Sequence, residues 1–384
     1  MSKEFSLVMP CLNESETLAI CIEKANLFFE LNAINGEVII ADNGSSDGSQ
    51  EIAISSGAKV ITIANKGYGN ALKGGIENAS GRYIIMGDAD DSYDFSNLSL
   101  FIEKLRKGAD LVIGNRFKGE IKKGAMPFLH QYLGNPVLSF LGRLFFKSTI
   151  GDFHCGLRGF SKEAYLKMNL ATSGMEFASE MIVKSHLLNL KIIEVPIILY
   201  KDGRSRKPHL NTWSDGWRHL RFLLLYSPKW LFLFPGIIMM VLGFVFSLLL
   251  IISPIQISTI TFDVHTLLYA TSLLLIGFQF VVFYGFTKVF AVTQNLLPKS
   301  NRYNSLFKYI NLEKGLVLGF ITTLIGVILS IYGLSLWSKN NFGVLEVRTT
   351  LRIIIPAVTT IIIGIQIILF SFFFSILGLK DEKN

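Results

Sequence analysis

Short apolar runs alternate with segments of helical spacing in the first part of the chain, and long uncharged runs dominate the rest. Phe5 to Met9, Val38 to Ala41, Lys59 to Ile63, Tyr83 to Met86 and Leu111 to Ile113 are of strand length and rich in β-branched residues. Helical patterns fit between them at Glu16 to Glu30, Ser49 to Ser56, Gly69 to Ala79 and Asn97 to Lys107. This alternation predicts an α/β domain with a mainly parallel, Rossmann-like sheet. From Leu231 the pattern changes: Leu231 to Ile252, Thr266 to Thr287, Gly315 to Ser338 and Ile353 to Leu379 contain no charged residue. A helix needs roughly 20 apolar residues to cross a bilayer, so these runs predict an all-α domain of four transmembrane helices.

Two further stretches mix aromatics with cations. Pro127 to Lys147 and Trp213 to Tyr226 have the composition of helices lying at a membrane surface, with core packing as the alternative. The expected plan is a globular domain over 1–212, an interfacial helix over 213–229, a membrane domain over 230–379 and a tail over 380–384. The start, MSKEFSLVMP, passes directly into a strand pattern, so no cleavable signal is expected. Basic residues set the orientation. Ser253 to His265 has no Lys or Arg, whereas the next connection carries Lys288, Lys299, Arg302, Lys308 and Lys314. The positive-inside rule then puts that connection, the N-terminal domain and the tail with Lys380 and Lys383 in the cytoplasm. Lys339, Arg348 and Arg352 in the third connection run against it.

The net charge of +8 comes without a nucleic-acid motif, and cations facing anionic headgroups account for it. Cys11, Cys21 and Cys155 lack metal-ligand spacing and read as free thiols of a reducing compartment.

Polar residues gather where the strands should end. The first strand runs into Pro10-Cys11-Leu12-Asn13-Glu14, the second into Asp42-Asn43-Gly44-Ser45-Ser46-Asp47-Gly48, and the fourth into Gly87-Asp88-Ala89-Asp90-Asp91-Ser92-Tyr93-Asp94. Singly, each has a plain reading as a capping box at Asn13 and Glu16, a turn, or an acidic loop. Together they lie at one edge of one sheet, where open α/β sheets bind ligands. Two carboxylates about 4 Å apart repel by roughly 4 kcal/mol at an effective dielectric near 20, so the acid cluster wants a cation.

The succession PCLNE, DNGSSDGS, NKGYGNALKGG and GDADD resembles glycosyltransferase family 2, inverting enzymes with a GT-A nucleotide-sugar fold. GNRF at Gly114 to Phe117, GDFHCGLRGF at Gly151 to Phe160, GMEFASEM at Gly174 to Met181 and the basic segment from Gly203 to Phe222 narrow the likeness. With the membrane runs they resemble the polyprenyl-phosphate hexosyltransferases, including dolichyl-phosphate mannose synthases and bacterial glucosyl counterparts. The resemblance implies that Asp88 and Asp90 hold Mg²⁺ or Mn²⁺ against the donor diphosphate, with Ser92 where mannose synthases often carry a Gln near the metal. It implies a donor nucleotide pocket of Pro10, Leu12, Asn13, Glu14, Asp42, Asn43, Lys66, Gly67, Gly69, Asp88 and Ala89, with Asp42 reading the base. Arg116, His130, Arg204 and Arg206 become candidates for the acceptor phosphate, with attraction of Arg204 and Arg206 to lipid as the plainer reading. Glu176 and Glu180, four apart on one helix face, become acceptor-positioning residues, and Asp152 the catalytic base if one is used.

The expected reaction is inverting transfer of a hexose from a nucleotide-sugar to a polyprenyl phosphate, undecaprenyl or dolichyl, in the bilayer. Ser92 tilts the donor toward UDP-glucose or a UDP-N-acetylhexosamine, with GDP-mannose as the alternative. A processive polysaccharide synthase shares the fold, but its QxxRW motif is missing here. A nucleotide-sensing transporter or flippase would bury charges in its spans, and the four runs hold none. A non-catalytic scaffold would not require the paired Asp88 and Asp90, and homo-oligomerisation through the membrane helices is left open.

Overall fold

The computed structural model describes residues 3–205, 212–293 and 311–378. Arg206, Lys207, Lys299, Arg302, Lys308, Leu379 and the tail lie outside the described residues. The chain divides into two units, Met1–Tyr226 and Ser227–Asn384.

The first unit is built on seven strands: β1 (Phe5–Cys11), β2 (Gly36–Asp42), β3 (Lys59–Thr62), β4 (Tyr83–Met86), β5 (Leu111–Ile121), β6 (Arg158–Ser161) and β7 (Ile192–Leu199). Their order is β3-β2-β1-β4-β6-β5-β7. All neighbours are parallel except β6, which runs antiparallel to β4 and β5. The helices α1 (Leu18–Leu31), α2 (Ser49–Ser55), α3 (Tyr68–Glu77), α4 (Ser99–Arg106), α5 (Asn135–Phe146), α6 (Lys162–Met168), α7 (Phe177–Leu187) and α8 (Thr212–Leu225) complete the unit. Phe5, Leu7, Ile39, Ile40, Ile84, Ile85 and Val112 are 0% exposed, as expected for a sheet covered on both faces.

The five expected strands are all present, and β6 and β7 are additions. β6 is only four residues long and opens on Arg158, which no apolar pattern announces. Arg158 is nevertheless 0% exposed, because its guanidinium donates to the carbonyls of Cys155 and Phe153 at 2.9 Å each and to that of Ala178. β7 contains Pro196 and sits at the sheet edge, where a missing N–H is tolerated. β5 runs eight residues past its expected end at Ile113, with a register shift between Asn115 and Glu120.

The helix expected to stand apart at 213–229 instead packs into this unit as α8. Its Leu223 is 0% and Phe222 6% exposed, clustered with Val183 of α7 and with Leu138, Leu141 and Phe145 of α5. Its other face leaves Trp213 79% and Trp217 57% exposed. A π-helical turn, His130–Gly134, leads into α5 and exposes Tyr132.

The second unit contains four helices long and apolar enough to cross a membrane. α9 (Phe234–Ile252) follows a π-helical turn at Lys229–Leu233, and α10 (Val264–Thr293), α11 (Leu312–Lys339) and α12 (Val347–Gly378) complete the set. Gly319 and Gly364 let the α11 and α12 backbones approach: a Cβ on either would stand 2.8 Å from the other's carbonyl oxygen. A hairpin of β8 (Ile255–Ile257) and β9 (Ile260–Phe262) joins α9 to α10. Beside it, Asp263 accepts from Arg352 at 2.6 Å and pairs with Arg348 at 3.5 Å. Two of the cations that opposed the expected orientation thus share one carboxylate at the end of the bundle that carries the first connection.

Candidate active site

The carboxyl ends of β1, β2 and β4 bring the three polar loops together, because these strands are adjacent and parallel. They surround a cavity of about 400 Å³ lined by Pro10, Cys11, Leu12, Glu14, Asn43, Lys66, Gly67, Tyr68, Ala71, Asp88, Ala89, Asp90, Gly174, Met175, Arg204, Asp215 and Arg218. Eight of the expected donor-pocket residues are in that lining.

Asp88 and Asp90 form its acidic floor. The Tyr68 hydroxyl donates to Asp88 Oδ1 at 2.9 Å. Burial, and then the Asp90 charge, push the Asp88 carboxyl up to about 7. A carboxyl so displaced is short of positive charge. Arg204 supplies some of it: Nη2 donates to Asp90 Oδ2 at 2.6 Å, Nη1 to Glu14 Oε1 at 3.0 Å and Nε to Asp202 Oδ2 at 3.2 Å. The chain around it is fastened to the same loops, with Gly203 N donating to the Asp90 carbonyl at 3.0 Å and Ser205 Oγ to Glu16 at 2.6 Å. Arg204, expected beside the acceptor phosphate, therefore lies in the wall of this cavity, bonded to Glu14 and Asp90. Ser92 stands behind Asp90, its hydroxyl donating to Oδ1 at 2.6 Å, and does not line the cavity.

Asp42, Asn13 and Gly69 also stand outside the lining. Asp42 is 0% exposed and accepts from Gly44 N at 3.0 Å, Ser45 N at 3.2 Å and Gln50 Nε2 at 2.6 Å, which folds its own loop. Asn13, at φ 59°, accepts from Ser46 N at 2.8 Å and so ties the β1 loop to the β2 loop; it does not cap α1, whose N-cap is Thr17. Gly67 requires glycine twice over: its φ is +128°, and a Cβ would sit 2.4 Å from the Ser173 carbonyl oxygen. Its N–H donates to Asn43 Oδ1 at 2.7 Å, and Lys66 Nζ donates to the Asn43 carbonyl. Gly69 is a packing residue, since a Cβ there would meet Thr172 O at 2.8 Å.

Among the remaining acids of the cluster, Asp91 pairs with Lys24 at 2.6 Å and Asp94 accepts from Ser96 N at 3.0 Å. Both shape the loop.

Arg116 and Asp152 face each other. Nε and Nη2 of Arg116 donate to Oδ2 and Oδ1 of Asp152 at 2.7 and 2.8 Å, and the Arg116 N–H adds a third bond at 3.2 Å. The side chains are 9% and 0% exposed. Burial opposes the Arg116 charge, but the Asp152 carboxylate more than offsets it and holds the guanidinium pKa above its ordinary value. Asp152, expected as a base, is thus committed as an acceptor to Arg116. Burial first and the Arg116 charge second lower the pKa of His130. His154, with both ring nitrogens buried and without a hydrogen-bond partner among the described residues, meets His219 edge-on at 4.5 Å between centroids. His219 Nδ1 and Ser179 Oγ are 3.0 Å apart. Burial drives both imidazoles below their ordinary pKa, so each is neutral at pH 7.

Glu176 precedes α7, and its charge acts on His219. Glu180 turns away, 0% exposed and bonded to Ala171 and Thr172. Tyr68, Gly174, Met175, Asp215 and Arg218 line the cavity unforeseen. Tyr68 had a signal, its place between two glycines of the loop. The others come from segments more than 80 residues from the acids, which spacing does not connect.

A parallel-rich sheet with one reversed strand and an acid pair at its carboxyl edge defines a GT-A glycosyltransferase domain, here followed by membrane-spanning helices. The Glycosyl transferase family 2 domain matches residues 6–168, and the Glycosyltransferase family 2 C-terminal transmembrane region matches residues 285–378. The chain is 37% identical over 375 residues to the low-salt glycan biosynthesis hexosyltransferase Agl6 of Haloferax volcanii, covering 97% of this chain and 89% of that one. It is 28% identical over 196 residues to a dolichyl-phosphate hexose transferase of the same organism, covering 50% and 82%. A crystal structure of glucosyl-3-phosphoglycerate synthase from Mycobacterium tuberculosis has 20% identity and a TM-score of 0.48 over 59% of this chain and 80% of that one. The chain belongs to glycosyltransferase family 2 and is a membrane glycosyltransferase.

Proposed function

We propose that the chain transfers a hexose from a nucleotide-sugar to a polyprenyl phosphate with inversion at the anomeric carbon. The observation that carries this reading is the Asp88 and Asp90 pair in the cavity, with Asp88 displaced toward protonation by burial and by the Asp90 charge. Two carboxylates suit Mg²⁺ or Mn²⁺, which typically takes one or two protein acids and completes its shell with substrate phosphates and water. Such an ion would neutralise the leaving diphosphate. Pro10, Leu12, Asn43 and Gly67 bound the nucleotide, and Arg204 and Arg218 offer cations to its phosphates. Arg116 and His130 are the acceptor-phosphate candidates that lie near each other. A phosphate monoester has its second pKa at about 6, so the attacking oxygen is already mostly ionised at pH 7. That removes the need for a base and agrees with Asp152 being occupied by Arg116.

The relative named for dolichyl phosphate supports a dolichyl-type carrier, and the hexosyltransferase relative supports a hexose. The basic second connection, with Lys288 and Lys314 among its cations, supports a catalytic unit on the cytoplasmic side. Full-length protein in detergent, incubated with dolichyl or undecaprenyl phosphate, Mn²⁺ and labelled UDP- and GDP-sugars, should move one hexose label into the lipid phase. No transfer from any donor would refute the proposal.

A further inference from the structure

Glu180 and Lys184 form a buried ion pair, 2.9 Å apart with side chains 0% and 8% exposed, in a part of the domain where packed apolar residues would serve α7 as well. Removing two charges from water is costly, so such a pair needs further hydrogen bonds to be tolerated. These bonds go to one place. Glu180 accepts from Ala171 N at 3.0 Å, from Thr172 N at 2.8 Å and from Thr172 Oγ1 at 2.7 Å. Lys184 donates to the Asn169 carbonyl. A longer bond of 3.4 Å comes from the Tyr226 hydroxyl.

The residues so held, 169–174, lie between α6 and α7 and have no ladder or helix to satisfy their backbone. From the other side they meet the start of α3. The Ser173 carbonyl accepts from Gly69 N at 2.9 Å and from Asn70 N at 3.3 Å, and the fit leaves no room for a Cβ at Gly67 or Gly69. The segment then delivers Gly174 and Met175 to the cavity wall.

We infer that the Glu180–Lys184 pair is a positioning device for the donor pocket, clamping segment 169–174 against Gly67–Asn70 so that Met175 closes on the nucleotide-sugar. This gives Glu180 a donor-side role in place of the expected acceptor-side one, and it rests on the donor-pocket reading above.

The test uses the full chain in detergent with two variants. Glu180→Gln removes the charge at nearly constant volume; Gly69→Ala strains the same contact from the α3 side without touching the pair. Titration calorimetry with UDP and GDP in Mn²⁺ gives nucleotide affinity independently of turnover, and steady-state kinetics separates the two substrates. Each variant should weaken nucleotide binding and raise the donor KM by about tenfold, while kcat and the acceptor KM change by less than about twofold, the signature of lost ground-state binding. If Glu180→Gln does not fold, Gly69→Ala decides alone. Folded variants whose nucleotide affinity is unchanged, or whose acceptor KM rises as much as the donor KM, would overturn the clamp. Wild-type protein that binds neither nucleotide would instead overturn the donor-pocket reading itself.

Discussion

Replacing Arg116 tests how the acceptor side is held. Its guanidinium makes two charge-assisted bonds to Asp152, at 2.7 and 2.8 Å, and Asp152 is 0% exposed. Arg116→Met keeps an unbranched apolar stem but leaves the Asp152 carboxylate buried, with the backbone N–H groups of positions 116 and 154, at 3.2 Å each, as its remaining donors among the described residues. Removing one partner of a buried pair costs about 3–5 kcal/mol, whereas replacing both by apolar groups is often neutral. For a unit of this size each kcal/mol moves the melting midpoint by about 2–4 °C, so Arg116→Met should melt roughly 6–20 °C lower. The double variant Arg116→Met/Asp152→Leu should recover most of that loss. Scanning calorimetry of the full chain in detergent reads both, and turnover measured well below either midpoint reads function. There the double variant should lose affinity for lipid phosphate while keeping affinity for nucleotide. A single variant that melts with the parent would refute the buried-pair reasoning. Equal loss of both substrates in the refolded double variant would make Arg116 a structural residue.

Asp90→Ala should abolish transfer while the protein stays folded, checked by label transfer and melting; near-normal turnover in saturating Mn²⁺ would exclude a metal role for Asp90. In a chelator, the raised pKa of Asp88 makes a pH prediction. The native state holds a proton that the unfolded chain releases near pH 4, so this contribution is fully present below that pH and is lost as pH rises through about 7. The parent's melting midpoint should therefore fall across that window relative to Asp88→Asn, and Mn²⁺ should restore the parent but not the variant.

Much of the first unit was legible because burial leaves a simple mark. Val38 to Ala41 and Tyr83 to Met86 are covered on both faces, and a strand so placed reads as an unbroken apolar run. The membrane helices are legible for a related reason, since no charge can face lipid cheaply. β6 was hidden because its first residue, Arg158, is satisfied by three carbonyls that no local pattern links to it. In the site, the loops that hold the acids follow from strand order. Which side chains compensate them does not: Arg204 reaches Glu14 across 190 positions and Asp90 across 114, and only the folded loop brings it there. α8 joins the first unit, as the core-packing alternative had it, because its apolar stripe found α5 and α7 to cover it.

Compensation, more than motif, separates the acids of this site. Asp42 closes β2 and Asp88 follows β4, and both open recognisable loops, yet their surroundings differ in kind. Asp42 receives two backbone N–H groups of its own loop and the Gln50 amide from the first turn of α2. Asp152 is answered by Arg116 and Glu180 by Lys184. Among the described residues Asp88 is bonded to a phenol and, at one remove, faces the Arg204 guanidinium that Asp90, Glu14 and Asp202 already share. Hydrogen bonding from a neutral hydroxyl does not replace a charge, and burial together with the Asp90 carboxylate still displaces the acid toward its protonated form. Among the described residues no cationic side chain bonds to Asp88, and the proposed reaction supplies a positive charge at this corner. A cation arriving with a diphosphate would bring it, and Asp42, Asp152 and Glu180 would have no call on it.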